Sequence, residues 1–262
     1  MNFIKLFFSF LHYRFFSKTA HSIHSPFIFD FATNVLYDKN DYYAYSELEK
    51  KGKDFKKNFT KLKHNDFGAG SKVFKGEFRR VSEIYKYGIS KEKFSKLYFR
   101  IVNKYSPEYA IELGTSIGLN TVYLAKAKSS CKLYSLEGSQ ELSHFAKDLL
   151  NELSIQNVEI VSGDFDDELP GLLKKIPRLD FLFVDGNHRY EPTLRYFHMC
   201  AEKAGENSIF IFDDIRWSEE MKKAWDEIRN DSRVTSSIDL FDVGIVFFNS
   251  SFRQKEHFSI RF

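Results

Sequence analysis

The chain has 262 residues, enough for one sizeable α/β domain with an extension and a proper buried core. Its 29 Phe and 14 Tyr exclude intrinsic disorder over most of the length, and two cysteines, Cys131 and Cys200, are too few for a disulfide framework. They read as buried free thiols in a reducing cytoplasm. The net charge of +3 is unevenly spread. Residues 1–105 hold 21 Lys+Arg against 10 Asp+Glu, or +11, and residues 106–262 hold 18 against 26, or −8. A basic front before an acidic back suggests two regions with different duties.

In chain order, Met1–Phe16 is too short and too charged to span a bilayer, and Lys5, His12 and Arg14 interrupt its apolar run. No convincing cleavage site follows, which argues against a signal peptide. Phe3, Phe7, Leu11 and Phe15 fall at helical spacing with Ile4 and Phe8 beside them, an amphipathic helix with a basic opposite face. The plain reading is packing on its own domain or on a homodimer partner. Peripheral contact with a membrane surface is the sharper alternative. Ser25-Pro26 before the run Phe27–Leu36 predicts an N-cap with Pro at the first helical position, and His21 and His24 read as surface groups or as part of a lid.

Residues 38–75 are polar and Lys-rich without sustained apolar periodicity, and predict a mobile loop or lid. Its lysines lack arranged aromatics and arginines, so no nucleic-acid partner is favoured. Within it Asn65-Asp-Phe-Gly-Ala-Gly-Ser71 mimics a ligand turn but follows no buried strand, and is a decoy for cofactor binding. Helices are predicted over Glu77–Tyr87, Lys91–Lys104 and Glu219–Arg229, and a closing strand pair over 238–242 and 243–248 with Gly244 at a bulge or tight corner. Residues 1–90 thus form a helical N-terminal extension with a Lys-rich loop, as lid or dimer element.

The rest is organised around Tyr109–Ala125. A short apolar run, Tyr109 to Leu113, meets two glycines four apart, Gly114 and Gly118, and resumes as an apolar-periodic segment: strand, tight turn, helix. The dinucleotide fingerprint G-x-G-x-x-G is missing, with Ser116 where its middle glycine would stand, so a nicotinamide enzyme is disfavoured. Glu112 at the turn's entry suits a cationic or zwitterionic ligand rather than a pyrophosphate. Four further apolar runs end in acid, at Glu137, Asp164, Asp185 and Asp213-Asp214. One acid at a strand end is usually a helix cap; five in succession line the rim where open α/β sheets bind ligands.

Glu112-Leu-Gly-x-x-x-Gly118, then Glu137, Asp164, Val184-Asp-Gly-Asn-His-Arg-Tyr190 and Phe212-Asp-Asp214 resemble a class I S-adenosylmethionine-dependent methyltransferase. The likeness covers about residues 92–250. It is nearest to the metal-dependent O-methyltransferases, of the catechol and caffeoyl-CoA type and the macrolide sugar type. The resemblance implies an α/β, Rossmann-like seven-stranded methyltransferase sheet, last strand antiparallel, over residues 91–262.

It also implies site roles. Glu112, Gly114, Ser116, Gly118, Glu137, Gly138, Asp164, Phe165 and Asp185 would bind S-adenosyl-L-methionine. Glu137 would accept from the ribose hydroxyls, and Asp164 from the adenine amino group with Phe165 against the ring. Asp185, Asp213 and Asp214 are three hard oxygen ligands suited to Mg²⁺ or a similar divalent cation. His188 stands where the catechol-type enzymes carry a lysine and would serve as general base, with Asp185 beside it as the second catalytic residue. Arg189, Tyr190, Arg216 and Trp217 would shape the pocket for a small-molecule or sugar acceptor. A metal-free N- or O-methyltransferase and a non-catalytic scaffold with the same fold stay open as alternatives.

Overall fold

The structure, a computed structural model, describes residues 3–19, 22–63, 76–250 and 254–262. The chain forms two compact units, Met1–Lys39 with Arg178–Phe262, and Asn40–Pro177. The first stretch holds helix α1 (Phe3–Phe16) and helix α2 (Pro26–Phe31), which runs on as a π-helical turn, Ala32–Leu36. Ser25 is extended and Pro26 opens α2 as expected, though the serine side chain makes no capping bond. His21 and the decoy turn at 65–71 lie outside the described residues.

The Asn40–Pro177 unit opens with helix α3 (Tyr45–Lys56), where the sequence predicted a loop. Tyr45, Leu48, Gly52 and Phe55 form a narrow buried stripe on it while Lys50, Lys53 and Lys56 face water and Lys51 pairs with Glu152. One apolar residue per turn is too sparse to read as periodicity, and Gly52 hides in the stripe because the Tyr85 hydroxyl fills its side-chain space. Strands β1 (Lys61–Lys63) and β2 (Phe78–Arg80) pair antiparallel and lead into α4 (Val81–Tyr87) and α5 (Glu92–Tyr105). Helix α5 buries Phe94, Leu97, Tyr98, Ile101 and Val102, the predicted face, and ends at Ser106 in the left-handed region (φ 47°).

Then come β3 (Tyr109–Leu113), α6 (Leu119–Ala127), β4 (Lys132–Glu137), α7 (Gln140–Glu152), β5 (Val158–Ser162) and α8 (Phe165–Lys175). Strands β3, β4 and β5 pair side by side, all parallel. Strand β3 and helix α6 are buried on nearly every side, the strand because both faces of a parallel sheet are covered.

The other unit resumes with β6 (Leu179–Val184), α9 (Tyr190–Ala201), β7 (Ala204–Phe212), α10 (Glu219–Asn230), β8 (Ser236–Asp239), β9 (Gly244–Phe247) and β10 (Glu256–Ser259). Its strand order is β10-β8-β9-β7-β6. Strands β6 and β7 are parallel, β9 runs antiparallel between β7 and β8, and β10 lies parallel along β8. Phe181, Phe183, Phe210, Phe212 and Phe247 fill its core. The seventh strand of the alternating series is antiparallel, as expected, and β10 is an eighth. Gly244 marks no bulge: it pairs in regular register with Phe212 and Asp239. It is glycine because a Cβ there would stand 2.5 Å from the Trp225 ring.

Candidate active site

The turn after β3 demands its glycines. Gly114 and Gly118 take φ of 107° and 80°, and Ser116 between them takes 51°. A Cβ on Gly118 would meet the Ala146 Cβ at 3.0 Å, so the close approach this glycine permits is that of helix α7. Glu112, within β3, is fully buried. Its Oε2 accepts from Thr121 Oγ1 and Ser135 Oγ, both at 2.6 Å, and Thr115 Oγ1 lies 2.5 Å from the same Ser135 hydroxyl. Its Oε1 is buried with no hydrogen-bond partner. Burial pushes the carboxyl up to about 7; the two hydroxyl bonds pull the other way, and the nearby Glu137 charge adds to the rise.

Glu137 ends β4 and clasps the turn. Its Oε2 accepts from Ser116 N at 2.8 Å and its Oε1 from Ser139 N at 2.9 Å. Burial raises this carboxyl to about 6 against the lowering effect of the amides of Ser139, Ser116 and Gly138. The main chain of Glu137 accepts from Gly163 N at 3.0 Å, which ties in the end of β5. Asp164, next, caps α8 by accepting from Asp166 N at 2.8 Å, and half-buried Phe165 begins that helix. Five of the expected cofactor residues, Glu112, Gly114, Ser116, Gly118 and Glu137, are therefore joined in one bonded turn.

Sequence reading missed the hydroxyls that hold Glu112. Ser135 was findable, because it is the register partner of Glu112 across β3 and β4, a polar pair inside two apolar runs. Asn120 was missed as well. It is buried, accepts from Ser95 Oγ at 2.6 Å and donates to Ser90 Oγ at 3.2 Å. Beside it, Ser95 and Leu119 help to line a cavity of about 810 Å³ within the same unit, within the size range of small-molecule sites.

In the other unit, Asp185 follows β6, and Asp213 and Asp214 follow β7. His188 Nε2 lies 3.7 Å from Asp185 Oδ1 and 3.9 Å from Asp214 Oδ2. Asp213 N donates to Val184 O at 2.9 Å, and Asp213 Oδ1 accepts from Asp214 N at 2.9 Å. Asp214 has φ 55° and Asn187 φ 51°, so both loops are bent at non-glycine residues beside the histidine. Asn187 Nδ2 donates to Tyr196 Oη at 3.0 Å, and its buried Oδ1 has no partner. Among the described residues, no three or more His, Cys, Asp or Glu converge to hold a metal ion.

The remaining acceptor-side residues are engaged in the unit's own packing. Tyr190 Oη donates to Glu227 at 2.5 Å with Lys223 over its ring. Arg216 makes a two-pronged ion pair with Asp239 at 2.8 and 2.6 Å and also donates to Phe241 O at 2.8 Å. Trp217 N donates to Asp214 O at 2.9 Å, which closes the Asp214 turn.

Residues 111–215 match the family model described as a methyltransferase domain. The chain resembles an uncharacterized protein, R132, of Acanthamoeba polyphaga mimivirus, 28% identical over 79 residues. That match takes in 29% of this chain and spans 35% of the relative's length. Among solved structures, the O-methyltransferase TomG from Streptomyces achromogenes, involved in tomaymycin synthesis and in complex with SAM, superposes with a TM-score of 0.58. It is 17% identical and the alignment covers 84% of this chain and 96% of that one. An O-methyltransferase from Bacillus cereus in complex with SAH gives 0.55 at 17% identity, over 83% and 96%. Residues 111–215 thus match a methyltransferase domain, and the chain shares its fold with these O-methyltransferase structures.

Proposed function

We propose that this protein is an S-adenosylmethionine-dependent O-methyltransferase acting on a hydroxyl of a small molecule or a sugar. The observation that carries the reading is Glu112: a fully buried carboxylate with one unpartnered oxygen, beside a turn built on Gly114 and Gly118. A buried acid left half satisfied is costly unless a ligand completes it, and a cationic ligand does so best. S-adenosylmethionine carries a sulfonium and an ammonium group, so the residues present fit it. Bound there, it would supply the methyl group.

In this reading the backbone of the Gly114–Gly118 turn admits the cofactor closely, and Glu112 draws its positive charge. The Glu137 oxygens accept from the amides of Ser116 and Ser139 and have further lone pairs that could receive ribose hydroxyls. The second carboxylate oxygen of Asp164 is available to the adenine amino group. On the acceptor side, His188 takes the hydroxyl proton, and Asp185 and Asp214, both within 4 Å, stabilise the imidazolium that results.

The divalent cation implied by the sequence resemblance does not fit this arrangement. Asp213 turns an oxygen to the amide of Asp214, and His188 stands between Asp185 and Asp214. The metal-independent route through His188 is therefore the one we adopt. Two buried free thiols, Cys131 and Cys200, suit the reducing cytoplasm.

Calorimetric titration of S-adenosylhomocysteine, with and without Mg²⁺, on wild type and Asp213→Ala tests the reading. Binding to both proteins without a Mg²⁺ response is the expected result. A Mg²⁺ heat present in wild type and lost in Asp213→Ala would restore the metal. Failure of the wild type to bind would leave a scaffold that keeps the fold.

A further inference from the structure

Helix α1 is anchored on the side that carries Tyr13. Tyr13 is buried there: its hydroxyl donates to Ile260 O at 2.6 Å and accepts from Phe262 N at 3.2 Å. Phe10 meets the Phe241 ring edge to face at 5.1 Å, and Arg261 donates to the main-chain oxygen of Arg14 at 2.6 Å. Past the helix, Lys18 forms a parallel bridge with Ile260. These contacts seat the helix firmly on its own unit, through the side that carries Tyr13.

The opposite side carries the apolar stripe. Phe7, Leu11 and Phe15 stand four residues apart with Phe8 next to them, the spacing of one helix face. The packing expected of a helix buried in its own domain is not what this stripe does: Phe7 is 50% exposed, Phe8 64% and Phe15 76%, with Phe16 beside them at 72%. Isolated exposed apolar residues are ordinary; four phenylalanines on one 14-residue helix form a contiguous patch, which marks an interaction surface.

Charge decides the occupant. The first 29 residues contain no Asp or Glu; the first acid is Asp30, while Lys5, Arg14 and Lys18 are basic. Two copies of this helix meeting face to face would bring like charges together. An apolar stripe on a helix that has basic residues and no acid of its own complements a bilayer whose headgroups are anionic. The helix spans about 21 Å at 1.5 Å per residue, shorter than a bilayer's hydrocarbon core. No helix among the described residues is long and apolar enough to cross a membrane.

We infer that α1 is a membrane-surface anchor, lying in the plane of an anionic bilayer with Phe7, Phe8 and Phe15 inserted among the acyl chains. This holds whatever reaction the protein catalyses.

The test is flotation of the full chain with vesicles of phosphatidylcholine, with and without about a third phosphatidylserine. The expected result is at least about tenfold more protein on the anionic vesicles, reduced by salt and by Arg14→Glu. Phe7→Ser/Phe15→Ser should abolish binding; the two side chains are 50% and 76% exposed, so its circular dichroism should match wild type. A Phe8→Trp variant should shift its emission to the blue with anionic vesicles alone. Absence of binding to either vesicle overturns the inference. So does sedimentation showing a dimer that Phe7→Ser/Phe15→Ser dissociates, because the stripe would then belong to a second copy.

Discussion

Glu137 reaches from the end of β4 to the turn after β3, where its Oε2 accepts from the backbone nitrogen of Ser116 at 2.8 Å. The other oxygen accepts from Ser139 N at 2.9 Å, so the carboxylate spans two backbone donors. Glutamine is the nearest isostere, yet it cannot substitute: its amide offers one acceptor oxygen and turns an NH₂ toward the second donor. Glu137→Gln should lose about 1–3 kcal/mol of stability, the cost of a buried unsatisfied pair. Urea unfolding measures this. Calorimetry on the same variant should show S-adenosylhomocysteine binding weakened with it, because the turn that would receive the ligand is what the carboxylate holds.

Glu112 gives the protein a signed pH dependence. Its folded-state value, about 7, lies above the ordinary 4.5 because burial disfavours the anion. The folded state thus holds a proton that the unfolded state has released. That contribution is fully present below about pH 4.5 and is lost as pH rises through about 7, a fall of about 3 kcal/mol. Glu137, raised to about 6, adds a smaller fall of the same sign over the lower part of that window. Thermal unfolding without ligand should therefore show Tm declining from about pH 5 to about pH 8, and Glu112→Gln should flatten most of the decline. With S-adenosylmethionine bound, the ionised carboxylate gains a cation. Titrations in buffers of different ionisation enthalpy should then reveal proton release.

The sheet and its rim of acids were legible because parallel strands are buried on both faces and so read as unbroken apolar runs, each stopped by a carboxylate. Helix α3 was not, because its buried stripe is one residue wide and depends on Gly52 making room for Tyr85. Strand β10 was not, because Glu256–Ser259 is short and half polar and owes its pairing to β8 rather than to its own pattern. At the candidate site, the identities of Glu112 and Glu137 were readable and their partners were not. Hydrogen bonds from Thr121, Ser135 and the Ser116 amide depend on side-chain direction and turn geometry, which spacing alone does not carry. Asp164 shows the converse: a predicted ligand group that also does the ordinary work of a helix cap.

Arg216 and Asp239 form an ion pair that no sequence pattern announced. Their side chains are 18% and 11% exposed, with bonds at 2.8 and 2.6 Å. Asp239 also accepts from Phe241 N at 2.8 Å, and the Arg216 guanidinium lies 5.0 Å from the Phe241 ring centroid. Arg216→Ala would leave Asp239 largely buried without its cation and should cost about 3 kcal/mol; Arg216→Lys should recover only part, since an ammonium cannot bond both oxygens in plane. Asp239→Asn/Arg216→Ala should be less damaging than the sum of its parts, as chemical denaturation of the four proteins would show.

Gly244 and Trp225 are coupled sterically. An added Cβ at 244 would fall 2.5 to 2.7 Å from three atoms of the indole, a rigid ring that cannot fold aside. Gly244→Ala should therefore destabilise by about 2 kcal/mol or more through overpacking. Trp225→Leu removes the clash at the cost of a cavity, so Gly244→Ala/Trp225→Leu should be more stable than the two single losses added together. If the effects simply add, the glycine is required by its backbone and not by the ring.

His188 separates chemistry from binding. It sits in the unit formed by residues 1–39 and 178–262, whereas the bonded turn of Glu112 and Glu137 belongs to residues 40–177. The carboxylates of Asp185 and Asp214 stand at 3.7 and 3.9 Å, near enough to stabilise an imidazolium and beyond direct hydrogen-bond distance. As a general base it contributes to the transition state and not to cofactor affinity. His188→Gln should therefore lower kcat by roughly 10²- to 10⁴-fold on any hydroxyl acceptor found by screening. Its calorimetric affinity for S-adenosylhomocysteine should match wild type. Equal losses in both measurements would mean that the histidine holds the loop after β6 rather than moving a proton, and the base would have to be sought elsewhere.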